Sequence, residues 1–145
     1  MSINTFESSQ VVFGWKEQLQ TFLSSKQRQD LVRTIDAMYM FNVRERDGNV
    51  ETWLLDCKTG PDVILSPIKK SWTGSNIVDV TVEIRDFDFK DLLQRKVSGQ
   101  DLFIMGQITT KEREGLGYLM RLDALLKSLA KATSGKGAGL GKPKL

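Results

Sequence analysis

Cys57 is the one thiol in a chain of 145 residues, and there is no histidine anywhere in it. A thiolate nucleophile needs a basic neighbour to lower its pKa, and neither a Ser–His nor a Cys–His arrangement exists without an imidazole. Zinc is held by sets of Cys and His, and a lone Cys supplies no such set. Cys57 therefore reads as a small core residue. The carboxylates of Asp86, Asp88 and Asp91 are close enough in sequence to be compared with an acid/base pair, but at the start of a helix they are expected to serve capping and the helix dipole. Gly135, Gly137, Gly139 and Gly141 precede no helix, so they do not form a phosphate loop. These residues predict a protein that is not an enzyme and uses no metal or other cofactor.

The formal charge of +3 does not point to nucleic acid. Lys131, Lys136, Lys142 and Lys144 lie in an acid-free end segment, and the remainder carries 17 basic against 18 acidic side chains. The body thus lacks a phosphate-binding footprint. One cysteine permits no internal disulfide, which suits a reducing compartment. No apolar run reaches membrane-spanning length, and the first basic residue is Lys16, so neither a signal peptide nor a presequence is expected.

The elements that must position the apolar residues follow from periodicity. Val12, Trp15, Leu19, Phe22 and Leu23 recur at helical spacing over 6–24, widened by Val11 and Phe13. Such a helix covers a sheet, or covers it and also walls a ligand cavity. Ser24 to Gln27 is a capping-box pattern that starts a second helix through Ile35. From Ala37 the pattern turns to strand, apolar on both faces as near a sheet centre. Arg46-Asp47-Gly48-Asn49 signals a hairpin, followed by a strand over 50–58. A third strand spans 62–66 and ends at Pro67. Trp72 is either a plug over a sheet edge or part of a docking surface. Ile77 to Ile84 alternates as a fourth strand. Asp86 and Asp88 are expected to cap a helix whose stripe is Phe89, Leu92, Leu93 and Val97, stopped by Gly99. A polar edge strand over 107–112 and a leucine-rich helix from Gly115 complete the body. From Lys131 the Gly, Ser, Lys and Ala composition predicts no packed element, giving a domain over 1–130 and a flexible tail over 131–145.

Two segments resemble a known family. Glu51-Thr52-Trp53-Leu54-Leu55-Asp56-Cys57-Lys58-Thr59-Gly60 is similar to the E/T-W-x-L-D-L-K-x-G strand of the sterol carrier protein 2 (SCP-2) lipid-binding domain. Asp79 to Val82, Asp88-Phe89, Leu92, Lys96, Gln100, Phe103 and Met105-Gly106 follow that family's AD-x-T-x-T, D-D-F and L-x-x-G-K-L-x-P-Q-x-A-F-x-x-G pattern. Arg95 stands where the family usually has Gly, and Gly99 where it has Pro. Met120-Arg121-Leu122 stands for its M-K-L.

The resemblance implies an α/β fold of the α+β type: a mostly antiparallel five-stranded sheet covered by helices, with an apolar tunnel between the layers. It implies non-enzymatic binding and transfer of a long-chain lipid such as a fatty acid, fatty acyl-CoA or sterol. By position the tunnel would be lined by Val12, Phe13, Trp15 and Leu19, by Leu102, Phe103 and Met105, and by Leu116, Leu119 and Met120. The alternative is a protein-interaction module on the same fold with a closed cavity, its contacts carried by Ile68, Trp72 or the tail. Pro143-Lys144-Leu145 resembles the C-terminal peroxisomal signal S-K-L. Peroxisomal location and contact with an import receptor are the expectation, cytoplasm the alternative. No nucleic acid partner or transmembrane segment is expected, and any membrane contact would be transient.

Overall fold

A computed structural model describes residues 6–68 and 77–137, with side chains through Thr133. Trp72 and Pro143, Lys144 and Leu145 lie outside the described residues.

The hydrophobic alternation of the strands builds a five-stranded sheet from β1 (Ala37–Arg44), β2 (Val50–Cys57), β3 (Ile64–Ile68), β4 (Val80–Arg85) and β5 (Thr109–Thr110), in the order β3-β2-β1-β4-β5. The pairings of β1 with β2, β2 with β3 and β4 with β5 are antiparallel, while β1 and β4 run parallel, so the sheet is mixed. Gly48, at φ 91°, turns the β1–β2 hairpin at the expected place, where Glu45 N–H donates to the Asn49 carbonyl. Pro67 does not end β3. It pairs in register with Trp53 on the sheet's edge, where a missing N–H leaves no ladder bond unmade.

One face of the sheet is apolar. Tyr39, Phe41 and Val43 of β1 align with Leu55 and Trp53 of β2 and with Val80, Val82 and Ile84 of β4, and all of these are buried. The other face carries a polar ladder across three strands: Thr52 donates to Asn42 at 2.8 Å, and the Asn42 amide donates to Glu83 at 2.7 Å. The alternation puts the apolar face under the helices and this ladder on the opposite face, where Met38 and Thr81 are also buried.

The helices α1 (Ser8–Phe22), α2 (Ser25–Ile35), α3 (Asp86–Leu93), α4 (Gly99–Ile104) and α5 (Gly115–Gly137) supply the second layer. α2 starts with the expected capping box: Ser24 accepts from Gln27 N–H, and Gln27 accepts from Ser24 N–H. α5 runs past the expected boundary at Lys131, and Ala132 packs against the core, so helical packing extends beyond the composition change. Among the described residues no helix is long and apolar enough to cross a membrane.

The helix expected over 86–97 ends at Leu93. Arg95 takes a left-handed φ of 63°, Arg95 N–H donates to Leu92 O at 3.0 Å and Lys96 N–H donates to Asp91 O at 2.8 Å. This is a Schellman C-cap with arginine at the position glycine usually holds. Gly99 then opens α4 rather than closing α3. Ser98 caps α4 by accepting from Asp101 N–H, and a Cβ on Gly99 would lie 3.2 Å from the Asp123 carboxylate.

Candidate lipid site between the helices and the sheet

The helix ends are tied down by charges that come from other elements. Asp86 does not cap its own helix. Its carboxylate accepts from Glu7 N–H at 2.6 Å, Ser8 N–H at 3.0 Å and Ser8 Oγ at 2.6 Å, which caps the start of α1. Asp88 instead pairs with Arg85, its Oδ2 lying 2.9 Å from Nη2. Asp123 of α5 accepts from Gly99 N–H at 2.6 Å and Gln100 N–H at 3.0 Å, a second cap for α4. At the carbonyl ends the signs reverse. Arg28 donates to Leu23 O at 2.6 Å while its Nε holds Asp62 at 2.8 Å, and Arg121 donates to Ile35 O at 3.2 Å. Carboxylates at N-termini and guanidiniums at C-termini satisfy orphaned backbone groups and agree with the helix dipole.

So fixed, α1, α4 and α5 turn their apolar stripes toward one another and toward the sheet. Val12, Trp15 and Leu19, Leu102, and Leu119 are all buried there, as the sequence predicts for a helix–sheet interior. Phe103 and Leu116 are half-buried. Phe13, Met105 and Met120 are 62%, 58% and 51% exposed, so they do not join the interior set. The reason is angular. Val12, Trp15 and Leu19 occupy one stripe of α1, and Leu119, Leu122, Leu126 and Leu129 one stripe of α5, from which Phe13 and Met120 are each rotated by about 100°. Leu122, Leu125, Leu126 and Leu129 complete the α5 wall.

Side chains fill the layer between helices and sheet. Phe41 meets Phe89 with centroids 5.0 Å apart, Tyr39 stacks on Phe41 at 6.1 Å, and Tyr118 meets Tyr39 edge-on at 6.5 Å. Tyr39 Oη donates to Tyr118 O at 2.6 Å. Burial, and secondarily the neighbouring Cys57, raise the Tyr39 phenol above its ordinary value. Burial likewise pushes the Cys57 thiol up to about 12, with the Asp56 charge adding to the shift, which keeps it neutral and unreactive as the absence of a basic partner implies.

At the rim of this layer a cleft of about 500 Å³ opens between α1 and the turn joining α3 to α4. Val11, Gly14, Trp15 and Gln18 form its α1 side; Leu93, Gln94, Arg95 and Lys96 form the other. Trp15 is 2% exposed, and its indole N–H has no hydrogen-bond partner among the described residues. The turn residues were missed from sequence because α3 was expected to continue through them; only a glycine at 95 would have announced the cap.

Comparison with known proteins agrees with this architecture. A profile of the SCP-2 sterol transfer family matches residues 17–127. The chain belongs to that family. A fatty acid-binding protein of Yarrowia lipolytica is 27% identical over 111 residues, covering 77% of this chain and 83% of the relative. The oleate-induced peroxisomal protein POX18 of Candida maltosa is 24% identical over 111 residues, covering 77% of this chain and 80% of that protein. Among solved structures, apo sterol carrier protein 2 from Yarrowia lipolytica superposes with a TM-score of 0.67 at 24% identity, covering 90% of this chain and 95% of that one, which shows the shared fold. The SCP-2 pattern also explains the turn: its usual glycine falls on Arg95, the residue with φ 63°.

Proposed function

We propose that this SCP-2 family protein binds and transfers a long-chain lipid in the apolar layer between its helices and its sheet, without catalysing a reaction. The observation that carries the reading is the match of residues 17–127 to a sterol transfer family on a body whose three helices hold an apolar layer over one sheet face. The Yarrowia lipolytica relative, by its name a fatty acid-binding protein, supports an acyl ligand. Each buried methylene contributes on the order of 0.8 kcal/mol, so about 14 of them supply roughly 11 kcal/mol gross. Association costs about 4 to 15 kcal/mol, and entry must also displace packed side chains, so only long chains bind well. Displacement of a fluorescent acyl probe by fatty acids, acyl-CoAs and sterols tests this. Affinity should rise about fourfold per added methylene at short chain lengths. A folded protein from which no lipid displaces probe at micromolar concentration would overturn the reading.

The filled space around Tyr39, Phe41 and Phe89 favours one second reading, an interaction module with a closed cavity, and the same negative result would support it. For location, the peroxisomal relative from Candida maltosa supports residence in the peroxisome, with Pro143, Lys144 and Leu145 read by an import receptor. A fluorescent protein fused ahead of the chain should reach peroxisomes with residues 143–145 and stay cytosolic without them. Cytosolic signal from both forms would reject this assignment and leave lipid binding untouched.

A further inference from the structure

The turn after α3 holds an arginine in the left-handed region, where L residues other than glycine, asparagine and aspartate are uncommon. The turn needs φ 63° to close its C-cap, and glycine meets that need without steric cost. An arginine kept there is an outlier of the kind that clusters at ligand sites.

Three further observations converge on the same cleft. Arg95 and Lys96 both line it, and neither forms an ion pair among the described residues. Trp15 lines the facing wall, almost wholly buried, with an indole N–H that finds no acceptor among the described residues. An unsatisfied buried donor is uncommon in a native fold and calls for a partner. Val11 from α1 and Leu93 from α3 give the cleft an apolar part beside Gln10, Gln18 and Gln94, and Trp15 and Leu93 themselves belong to the interior core. The volume of about 500 Å³ lies within the range of small-molecule sites.

We propose that this cleft receives the anionic end of the lipid: an oxyanion, carboxylate or phosphate, held by Arg95 and Lys96 and hydrogen-bonded by the Trp15 indole, while the aliphatic chain runs past Leu93 into the interior. This rests on the lipid-binding reading and narrows it to acidic acyl ligands over neutral lipids. Arginine presents a planar fork of donors to an oxyanion, and lysine adds a point charge. An acceptor-only head group supplies what the orphaned indole N–H needs, which lysine and arginine, themselves donors, cannot.

The test compares palmitate, palmitoyl-CoA and hexadecanol, which share the sixteen-carbon chain and differ in the head, by probe displacement on the full chain. Arg95→Gln with Lys96→Gln should weaken palmitate or palmitoyl-CoA at least tenfold, about 1.4 kcal/mol, and change hexadecanol less than twofold. Loss confined to palmitoyl-CoA assigns the phosphates, and loss of both assigns the carboxylate position as well. Arg95→Gly supplies a variant that must fold, because glycine suits φ 63°. It should lose anionic-ligand affinity while melting no lower than the wild type. Trp15→Phe, which removes the N–H donor together with the pyrrole ring, should weaken the anionic ligands relative to hexadecanol, hexadecanol binding serving as the control for the lost core volume. If the wild type binds all three lipids and the charge-removing variants bind them equally well, the head-group site is overturned and lipid binding stands. If the wild type binds none, lipid binding falls and this inference falls with it.

Discussion

Asp86→Ala tests whether α1 is held by a carboxylate from the middle of the chain, 78 residues from Ser8. The substitution removes the acceptor for two backbone N–H groups, Glu7 and Ser8, and for the Ser8 hydroxyl, which is buried beneath it. Loss of a helix N-cap costs about 0.5–2 kcal/mol. Loss of the charge at the helix's positive end costs about 0.3–1 kcal/mol, more in a partly buried site. Leaving a buried donor unsatisfied costs about 1–3 kcal/mol. These effects overlap, and about 3 kcal/mol is the expected total, a large share of the roughly 5–15 kcal/mol that holds a domain together. At this chain length the melting temperature should fall by about 6–12 °C. Asp86→Asn keeps one acceptor oxygen but brings an amide donor toward N–H groups and drops the charge, so about half the loss is expected. Ser8→Ala, which removes one hydroxyl bond, should cost about 1 kcal/mol. Urea titration of the three variants measures the series, and hydrogen exchange of the α1 amides reports where the loss falls. The reasoning is refuted if Asp86→Ala costs less than about 1 kcal/mol, or if Asp86→Asn matches the wild type. Because α1 also carries Val12, Trp15 and Leu19, a loosened α1 should weaken lipid binding as well.

Arg95→Gly should raise stability by about 0.5–1 kcal/mol, because a left-handed L residue costs about 1–2 kcal/mol and glycine returns part of that in unfolded-state entropy; a lower melting temperature would contradict the assigned turn. Cys57 should resist alkylation by iodoacetamide at pH 8 in the native protein and react once unfolded, since burial holds its pKa near 12. A thiol pKa raised from 9.0 stabilises the fold fully below that value and loses the contribution as pH rises toward about 12, and the raised Tyr39 phenol acts in the same direction, so urea midpoints should decline from about pH 9 upward. Met120→Arg should change stability by no more than about 0.5 kcal/mol at an exposed site, whereas Leu119→Ala should cost about 2–5 kcal/mol; a severe loss from Met120→Arg would show that α5 presents a different face to the core.

Periodicity was enough for β1, β2, the first two helices and the inward stripes, because a buried face imposes its repeat on an element, whereas β4 starts only at Val80 and β5 is just Thr109–Thr110, shorter than the alternation over 77–84 and the polar run over 107–112 suggested. Val12, Trp15 and Leu19 and the alternating Val80, Val82 and Ile84 are buried as their spacing predicts. The Gly48 hairpin and the Ser24 capping box were legible because their chemistry is contained in four consecutive residues. The placement of Cys57 in the core agrees with composition, since a chain without histidine offers its thiol no imidazole base. What remained hidden depends on residues far apart in the chain. Asp86 lies 78 positions from Ser8, and Asp123 lies 24 from Gly99, so only the folded arrangement reveals which helix each carboxylate caps. The parallel pairing of β1 with β4 is likewise a matter of which strands the fold brings side by side, not of any pattern within the strands. Composition misplaced the end of α5 because Ala132 is held by contacts to the core rather than by its neighbours. At the α3 turn, arginine holds the position where glycine would be the local signal, and only tertiary packing shows that the chain turns there, bringing Arg95 and Lys96 to the same cleft as Trp15.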